Sequence, residues 1–384
     1  MFKKMAQNIA KSTSEVIGYG VLVTDEKGII IGCNEERRIG EFHPPSVRVM
    51  EENRPMVTST IDAENYGNVL PGYTLPIQFF DRVLGSVSIA GIPEEVARYG
   101  LLVQKQAEIM LREQAFLESN LVRDRALRDL VENVASYDSR NSNGEMVMMQ
   151  AKELGFNLSR CRAAIVAEMT GWSGEAAESA FQRMIREARS SFSNPRNIIC
   201  PQENYRVTIL LSPSSEGTAE KIYEAAESLS ADFLKSTLEK GIVADISIGF
   251  ASYDLKGLSR SLTSARNTLK LAKLLKIKGI TKSEDFTGES LLDSLPAAVR
   301  QDYVSMTLRG LDSRNDYEEI KETFLAWCES PFASGNVADK LSMHRNSLQY
   351  RLKKIRSLTG KDPWNFKDAF ELWAAFVLSD ISGA

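Results

Sequence analysis

Residues 336–361, N-V-A-D-K-L-S-M-H-R-N-S-L-Q-Y-R-L-K-K-I-R-S-L-T-G-K, constrain the fold of this chain more than any other stretch. They read as two helices separated by a tight turn. The first is expected from Asn336, a good N-cap, to Leu341. Ser342 and Met343 form the turn. The second opens near His344 and stops at Gly360, the residue type that commonly ends a helix. Within it Leu348, Leu352, Ile355 and Thr359 recur at steps of four, three and four, which places them on one inward face. The stretch carries seven Lys and Arg against one acid, Asp339, in a chain of net charge -4. Positive charge is therefore concentrated locally.

A helix–turn–helix that reads DNA needs this arrangement. Its second helix presents hydrogen-bonding side chains near its N-terminus to base edges in the major groove. Arg can pair with guanine through two hydrogen bonds, and Asn or Gln can do so with adenine. Cations further along meet phosphates, which fix position without reading sequence. Arg345, Asn346, Ser347 and Gln349 are thus expected near bases, and Arg351, Lys353 and Lys354 near phosphates.

The block L-S-M-H-R-N-S-L-Q-Y-R-L-K-K-I-R-S-L-T-G-K-D resembles the C-terminal helix–turn–helix of the PucR-type and carbohydrate diacid regulators, approximately H-R-N-T-L-x-Y-R-L-x-x-I-x-x-x-T-G. It keeps His344, Arg345, Asn346, Leu348, Tyr350, Arg351, Leu352, Ile355, Thr359 and Gly360. Ser347 replaces Thr and retains the hydroxyl. The resemblance adds His344 and Tyr350 to the DNA-binding candidates and implies a bacterial transcription factor in the cytoplasm.

The 384 residues allow two or three domains with their own cores. No apolar run approaches 18 residues, so no membrane span is expected. Cys33, Cys161, Cys200 and Cys328 lack pair spacing, which fits thiols in a reducing compartment better than disulfides. With two histidines and no Cys or His cluster, neither a metal site nor a cofactor is expected.

Residues 1–135 read as a sensor domain with a signalling helix. After a short amphipathic helix, Gly20 to Cys33 alternates like a hairpin around a turn at Asp25 to Gly28. A helical stretch follows from Pro45 to Asn53. Strands are expected at Met56–Ile61, Gly72–Phe79 and Val83–Ala90, the last two joined at Asp81-Arg82. A five-stranded antiparallel sheet with helices on one side fits, the layout of PAS and Cache domains. Between hairpin and helix, Arg37 and Arg38 could clamp a carboxylate, because the guanidinium fork matches two oxygens. Gly40 would let backbone N–H groups approach a ligand, and His43 follows. From charge alone, two surface arginines paired to Glu35, Glu36 and Glu41 fit better than a clamp. The segment R-R-I-G-E-F-H resembles R-I-G-x-x-H of the sugar diacid recognition domain. L-P-I-Q-F-F-D-R-V-L-G-S-V-S-I-A-G-I-P-E-E-V-A-R-Y-G resembles its later strands and exit helix. The resemblance implies a small hydroxy acid such as glucarate, galactarate or glycerate, with Arg38, Gly40 and His43, then Arg37 and Thr74, as ligand candidates.

Pro93 with Glu94 and Glu95 begins a helix expected to reach Ala135. Val103, Ala107, Met110, Gln114, Leu117 and Leu121 form a candidate coiled-coil seam that could join a homodimer.

Asp138 to Gly144 reads as a polar linker. Residues 145–290 then alternate strands and helices in an order that resembles the GGDEF fold of nucleotide cyclases. The turn that would carry the metal-holding acids reads Pro201-Gln-Glu-Asn204, without the glycines that admit a nucleotide. A degenerate domain without phosphoryl-transfer activity is expected. Residues 291–384 form an all-α DNA-binding domain, with Phe370, Leu372, Trp373, Phe376 and Val377 in its core. The fold class is therefore multidomain α+β.

The expected function is a non-enzymatic, ligand-responsive regulator of sugar diacid or glycerate uptake and catabolism, acting on double-stranded DNA as a homodimer. The resemblance implies an activator. A PucR-type regulator of a different catabolite and a degenerate cyclase-like signalling protein are the alternatives.

Overall fold

The structure is a computed structural model that describes residues 2–80, 82–138, 143–213, 218–311, 314–329 and 334–382. It contains two compact units, Met1–Arg123 and Asp124–Ala384.

The first unit comprises α1 (Phe2–Ile17), β1 (Gly20–Asp25), β2 (Ile30–Cys33), α2 (Pro44–Glu52), β3 (Met56–Thr58), α3 (Thr60–Tyr66), β4 (Gly72–Phe79), β5 (Arg82–Ala90) and the first part of α4 (Pro93–Ala135). Its sheet runs β2-β1-β5-β4-β3, with every pairing antiparallel. The β1–β2 turn is shaped by Asp25, whose Oδ1 accepts the N–H groups of Lys27 and Ile29, both at 2.9 Å.

Strand parity sorts this sheet into two unlike faces. Odd positions carry Val21, Val23, Leu75, Ile77, Val87 and Ile89, which pack with Ala6, Ile9 and Ala10 of α1 and with Val96, Val103, Ala107 and Leu111 of α4. Even positions carry Leu22, Thr24, Thr74, Ser86 and Ser88, all buried. That second face lies under α2, whose Ser46 meets Ser86. Helices therefore cover both faces of the sheet, where the sequence suggested one; the even-position hydroxyls need a cover of their own.

Two close approaches fix α1 and α4. A Cβ on Gly32 would lie 2.3 Å from the carbonyl carbon and oxygen of Ala6, so α1 rests backbone-on-backbone against β2. Pro76 and a bulge between Ile77 and Gln78 disturb the β4 ladder. There α4 supplies partners: Gln104 Nε2 donates to the Pro76 carbonyl at 2.6 Å, and Glu108 Oε1 accepts from Gln78 N–H at 3.3 Å.

Three expectations change here. The strand expected at Met56–Ile61 ends at Thr58, because Ser59 and Asp62 form a reciprocal capping box that starts α3. Of the expected α4 seam, Val103 and Ala107 are consumed by the sensor's own core, whereas Leu117 and Leu121 are exposed. In the β4–β5 connection, Phe80 takes a φ of +51°, and Asp81 lies outside the described residues.

The second unit contains the end of α4, then α5 (Gly144–Glu153), β6 (Arg162–Thr170), α6 (Glu175–Ser191), β7 (Ile198–Gln202), β8 (Arg206–Leu211), α7 (Ala219–Glu239), β9 (Val243–Ser252), α8 (Leu255–Leu274), β10 (Ile280–Lys282), α9 (Thr287–Asp293), α10 (Ala297–Thr307), α11 (Tyr317–Glu329), α12 (Ser334–Lys340), α13 (Arg345–Thr359) and α14 (Phe366–Ser382). Its sheet runs β10-β9-β6-β8-β7, with only β10 parallel to its neighbour. Central β6 is buried on both faces. α6 and α7 pack on one side. α5, α8 and the end of α4, through Leu127, Leu130, Val131 and Val134, pack on the other.

Of the expected linker Asp138 to Gly144, residues 139–142 lie outside the described residues, and Gly144 already opens α5. The β7–β8 turn is also displaced. Pro201 and Gln202 belong to β7, and the reversal is made by Asn204 and Tyr205, with φ of +57° and +56°. Beyond the sheet, Leu271 and Ala272 of α8 share a buried cluster with Phe286 and with Val377 and Ile381 of α14.

Candidate ligand pocket and candidate nucleic-acid interface

In the sensor, a 3₁₀ turn at Glu36–Arg38 leads the chain from β2 toward α2. It brings Arg38 over the hydroxyl-bearing sheet face. The Arg38 side chain is only 14% exposed; Nε pairs with Glu41 at 3.1 Å and Nη2 donates to the Asn68 carbonyl at 2.9 Å. Arg38 and His43 line a cavity with Asn34, Ser88, Leu22 and Leu70. Its free space is about 20 Å³, room for one water-sized group.

His43 is buried and N-caps α2. Its Nδ1 lies 2.7 Å from Ser46 Oγ. Ser86 Oγ donates to Ser46 Oγ at 2.6 Å, and Thr24 Oγ1 lies 3.0 Å from Ser86 Oγ. Ser46 Oγ thus joins the His43 ring to the hydroxyls of the sheet face. Burial, and then the Arg38 charge, push His43 down to about 4. At neutral pH the ring is an uncharged group beside a cation.

The five ligand candidates separate. Arg38 and His43 meet at the cavity. Thr74 stands behind it, its Oγ1 donating to Ser88 Oγ at 2.9 Å. Gly40 has a φ of +93°, which explains the glycine, but its N–H donates to the Ile30 carbonyl at 2.9 Å and is not presented to a ligand. Arg37 is 85% exposed, pairs with Glu35 at 2.8 Å and does not line the cavity. Sequence reading missed Asn34 and Ser88. Ser88 was findable from the alternation of hydroxyl and apolar residues along β5. Asn34, whose Oδ1 accepts Val21 N–H at 3.0 Å, carries no such signal.

In the helix–turn–helix, α12 begins at Ser334, so Asn336 lies inside the helix and is not its N-cap; its side chain lies outside the described residues. Ser342, with a φ of +49°, makes the turn. His344 N-caps α13, its side chain accepting Asn346 N–H at 3.2 Å, and Gly360 closes the helix in the left-handed conformation. Leu348, Leu352 and Ile355 are buried.

His344, Arg345, Asn346, Ser347, Tyr350 and Lys353 are exposed, and Gln349 is half-buried. Tyr350 is 65% exposed, unusual for an aromatic side chain in mid-helix. Among the described residues, neither Arg345 nor Lys353 has a carboxylate partner. Two expected phosphate contacts are engaged within the domain. Arg351 binds Glu319 at 2.6 Å and the Thr323 hydroxyl at 2.8 Å. Lys354 pairs with Asp316, and Lys354, then Arg314, hold that carboxyl down to about 2. Both tie α13 to α11 and the residue before it. Of the C-terminal aromatics, Phe376 is buried and Trp373 half-buried, but Phe370 is 54% exposed and is not core.

The chain matches the sugar diacid recognition family over residues 1–134, the GGDEF-like domain over 139–271 and the PucR C-terminal helix-turn-helix domain over 321–378. It is 26% identical to the carbohydrate diacid regulator of Escherichia coli, covering 98% of this chain and 97% of that one. It is 22% identical to the uncharacterized protein YsfB of Bacillus subtilis, covering 98% and 97%. A crystal structure of a regulator of polyketide synthase expression from Bifidobacterium adolescentis aligns with a TM-score of 0.29 at 17% identity, covering 69% of this chain and 99% of that one. Among the described residues, no helix is long and apolar enough to cross a membrane, and no His, Cys, Asp and Glu group could hold a metal ion.

Proposed function

We propose that this member of the carbohydrate diacid regulator family is a cytoplasmic, DNA-binding transcription regulator that senses a small polyhydroxylated acid through residues 1–135 and reads its operator through residues 291–384. The observation that carries the reading is the buried sheet face built from hydroxyls, with Arg38 and neutral His43 at its edge. A buried layer of Thr24, Thr74, Ser86 and Ser88 is costly to dehydrate unless its groups are bonded. It suits a ligand that is itself a chain of hydroxyls ending in a carboxylate. Arg38 would take the carboxylate from Glu41, and Ser88 and His43 would meet hydroxyls.

The 20 Å³ cavity must open to admit such an acid. Leu70 and the Glu35–His43 loop are the parts that would move. The response has a short route. Ser88 is bonded to Thr74, and two residues along β4 the Pro76 carbonyl is held by Gln104 of α4. A shift between β4 and β5 would therefore tilt α4, whose last turns lie in the core of the second unit. Coupling of about 1–3 kcal/mol is typical of such switches. In this reading the sensor is PAS/Cache-like, the GGDEF-like domain (145–290) transmits without catalysis, the protein is a homodimer and it activates transcription.

On DNA, Arg345, Asn346 and Gln349 would face bases and Lys353 a phosphate, with His344, Ser347 and Tyr350 beside them. The test is thermal unfolding of the full chain with glycerate, glucarate, galactarate and neutral allantoin. One acid should stabilise it saturably, by about 2.7 kcal/mol at a hundredfold excess over Kd. Arg38→Ala should remove the effect while DNA binding persists. No stabilisation by any acid would refute the sensor reading.

A further inference from the structure

The second unit holds a cavity that neither the sensor nor the helix–turn–helix uses. It opens between the end of α4, the β7–β8 reversal and α8, and its free space is about 420 Å³. Arg128, Arg206 and Arg266 bring guanidinium groups to it from α4, β8 and α8, and Gln202 and Asn204 add side-chain amides. Cations gathered around one space repel one another, so each needs a partner. Arg266 clasps both oxygens of Glu132, at 3.0 and 2.5 Å, and Gln202 Nε2 donates to the same carboxylate at 2.7 Å. Arg206 Nε donates to Glu168 at 2.7 Å; among the described residues its terminal nitrogens bond to nothing else. For Arg128, the carboxylates one helical turn before and after it, Asp124 and Glu132, pair with Arg189 and Arg266 instead. Among the described residues Arg128 thus stands half-buried without an ion-pair partner.

A half-buried guanidinium without a counter-charge is costly to the fold. An anion supplies that charge, and the forked donors of Arg fit the oxygens of a phosphate. The size of the cavity calls for more than an inorganic ion, because spaces of roughly 300–1,000 Å³ hold whole small molecules. Gln202 and Asn204 offer donors and acceptors to an uncharged polar body. We propose that this cavity binds a small phosphate ester. Arg128 and the terminal nitrogens of Arg206 hold the phosphate, and Gln202 and Asn204 meet the rest of the molecule. The site lies where it can regulate. Leu127, Leu130, Val131 and Val134 carry the end of α4 into the core beside α8, and further along α8 Leu271 meets α14. A bound ester bridges α4 to β8 and opposes movement of α4 against this core. The proposal stands apart from the sensor reading, since none of its residues belongs to the first unit.

Isothermal titration calorimetry of the full chain tests it at constant ionic strength. The ligands are glucose 6-phosphate, GMP and inorganic phosphate, with glucose and guanosine as uncharged contrasts. At least one ester should bind saturably and more tightly than inorganic phosphate, and neither contrast should bind. A preference for glucose 6-phosphate or for GMP identifies a sugar or a nucleoside as the polar body. Arg128→Ala should weaken binding about 10–100-fold, the worth of a hydrogen bond to a charged group. Arg128→Lys keeps the charge without the fork and should fall between. Glu203→Gln removes an exposed carboxylate from the cavity wall and should tighten binding severalfold, a gain that misfolding cannot mimic. No saturable binding of either ester, or binding that Arg128→Ala leaves intact, would overturn the proposal. Tightest binding of inorganic phosphate would also overturn it, by marking a bare anion site.

Discussion

Replacing His43 by Asn probes the buried hydroxyl network through its one titratable member. The Asn amide can take the place of Nδ1 beside Ser46 but cannot ionise. His43 is displaced from 6.5 down to about 4 by burial and by Arg38. Between these values the unfolded chain binds a proton that the folded one refuses. Stability due to the neutral ring is thus complete above pH 6.5 and is lost as pH falls toward 4. At roughly 1.4 kcal/mol per pH unit, the whole displacement is worth about 3 kcal/mol. Between pH 7 and 4.5 the wild type should therefore lose about 2–3 kcal/mol more than His43→Asn does. The carboxylates that titrate in this window are common to both proteins and cancel in the difference. Urea unfolding by far-UV CD supplies the free energies. Tryptophan fluorescence is an internal control, because Trp172, Trp327, Trp364 and Trp373 all lie in the second unit. The chain has two histidines, so NMR of the imidazole protons gives a direct reading. A His43 resonance that titrates near 6.5, or equal pH dependence of the two proteins, would refute the argument.

Lys353→Ala should reduce the slope of log affinity for DNA against log salt by about 0.9. Lys354→Ala should leave that slope unchanged and instead lower domain stability, because its charge is spent on Asp316; salt titrations of operator binding compare the two. Arg345→Ala should cost about 1–3 kcal/mol of operator affinity and relax base preference at one position, measured against a library of operator variants. Gly32→Ala should destabilise the first unit by about 1–3 kcal/mol, since its methyl would meet the Ala6 backbone, with Ser as an equally unfavourable replacement in urea melts.

Much of this architecture is legible residue by residue. The β1–β2 hairpin follows from Asp25 and Gly28, α4 starts at a proline followed by two acids, and α13 stops at Gly360. These are local signals, and a short peptide window contains them. What escaped is non-local. The alternation of hydroxyl and apolar side chains over Ser86-Val87-Ser88-Ile89 of β5 is visible in the chain, but that α2 would cover the hydroxyl side depends on a contact forty residues away. The fate of the basic residues in α13 is decided by Glu319 and Asp316, far earlier in sequence. Arg351 and Lys354 therefore look the same as Lys353 when the helix is read alone. Gly40 is the converse case: its backbone conformation was foreseeable, but the carbonyl that its N–H would find was not. β10 and α5 are short and lack strong periodicity, and their places are fixed by the sheet and core they complete.

The buried contact of Leu271 and Ala272 with Val377 and Ile381 determines where this protein can be cut and rejoined. A hybrid regulator that grafts a foreign operator-reading module after residue 290 would strip the apolar end of α8 of its cover. It would also expose the matching side of the discarded helix. A splice within α4 near Arg123 leaves that contact whole and carries the later domains as one cassette. New inputs can therefore be installed by exchanging the front of the chain, whereas a new output needs the α8 surface to be recut to suit its replacement.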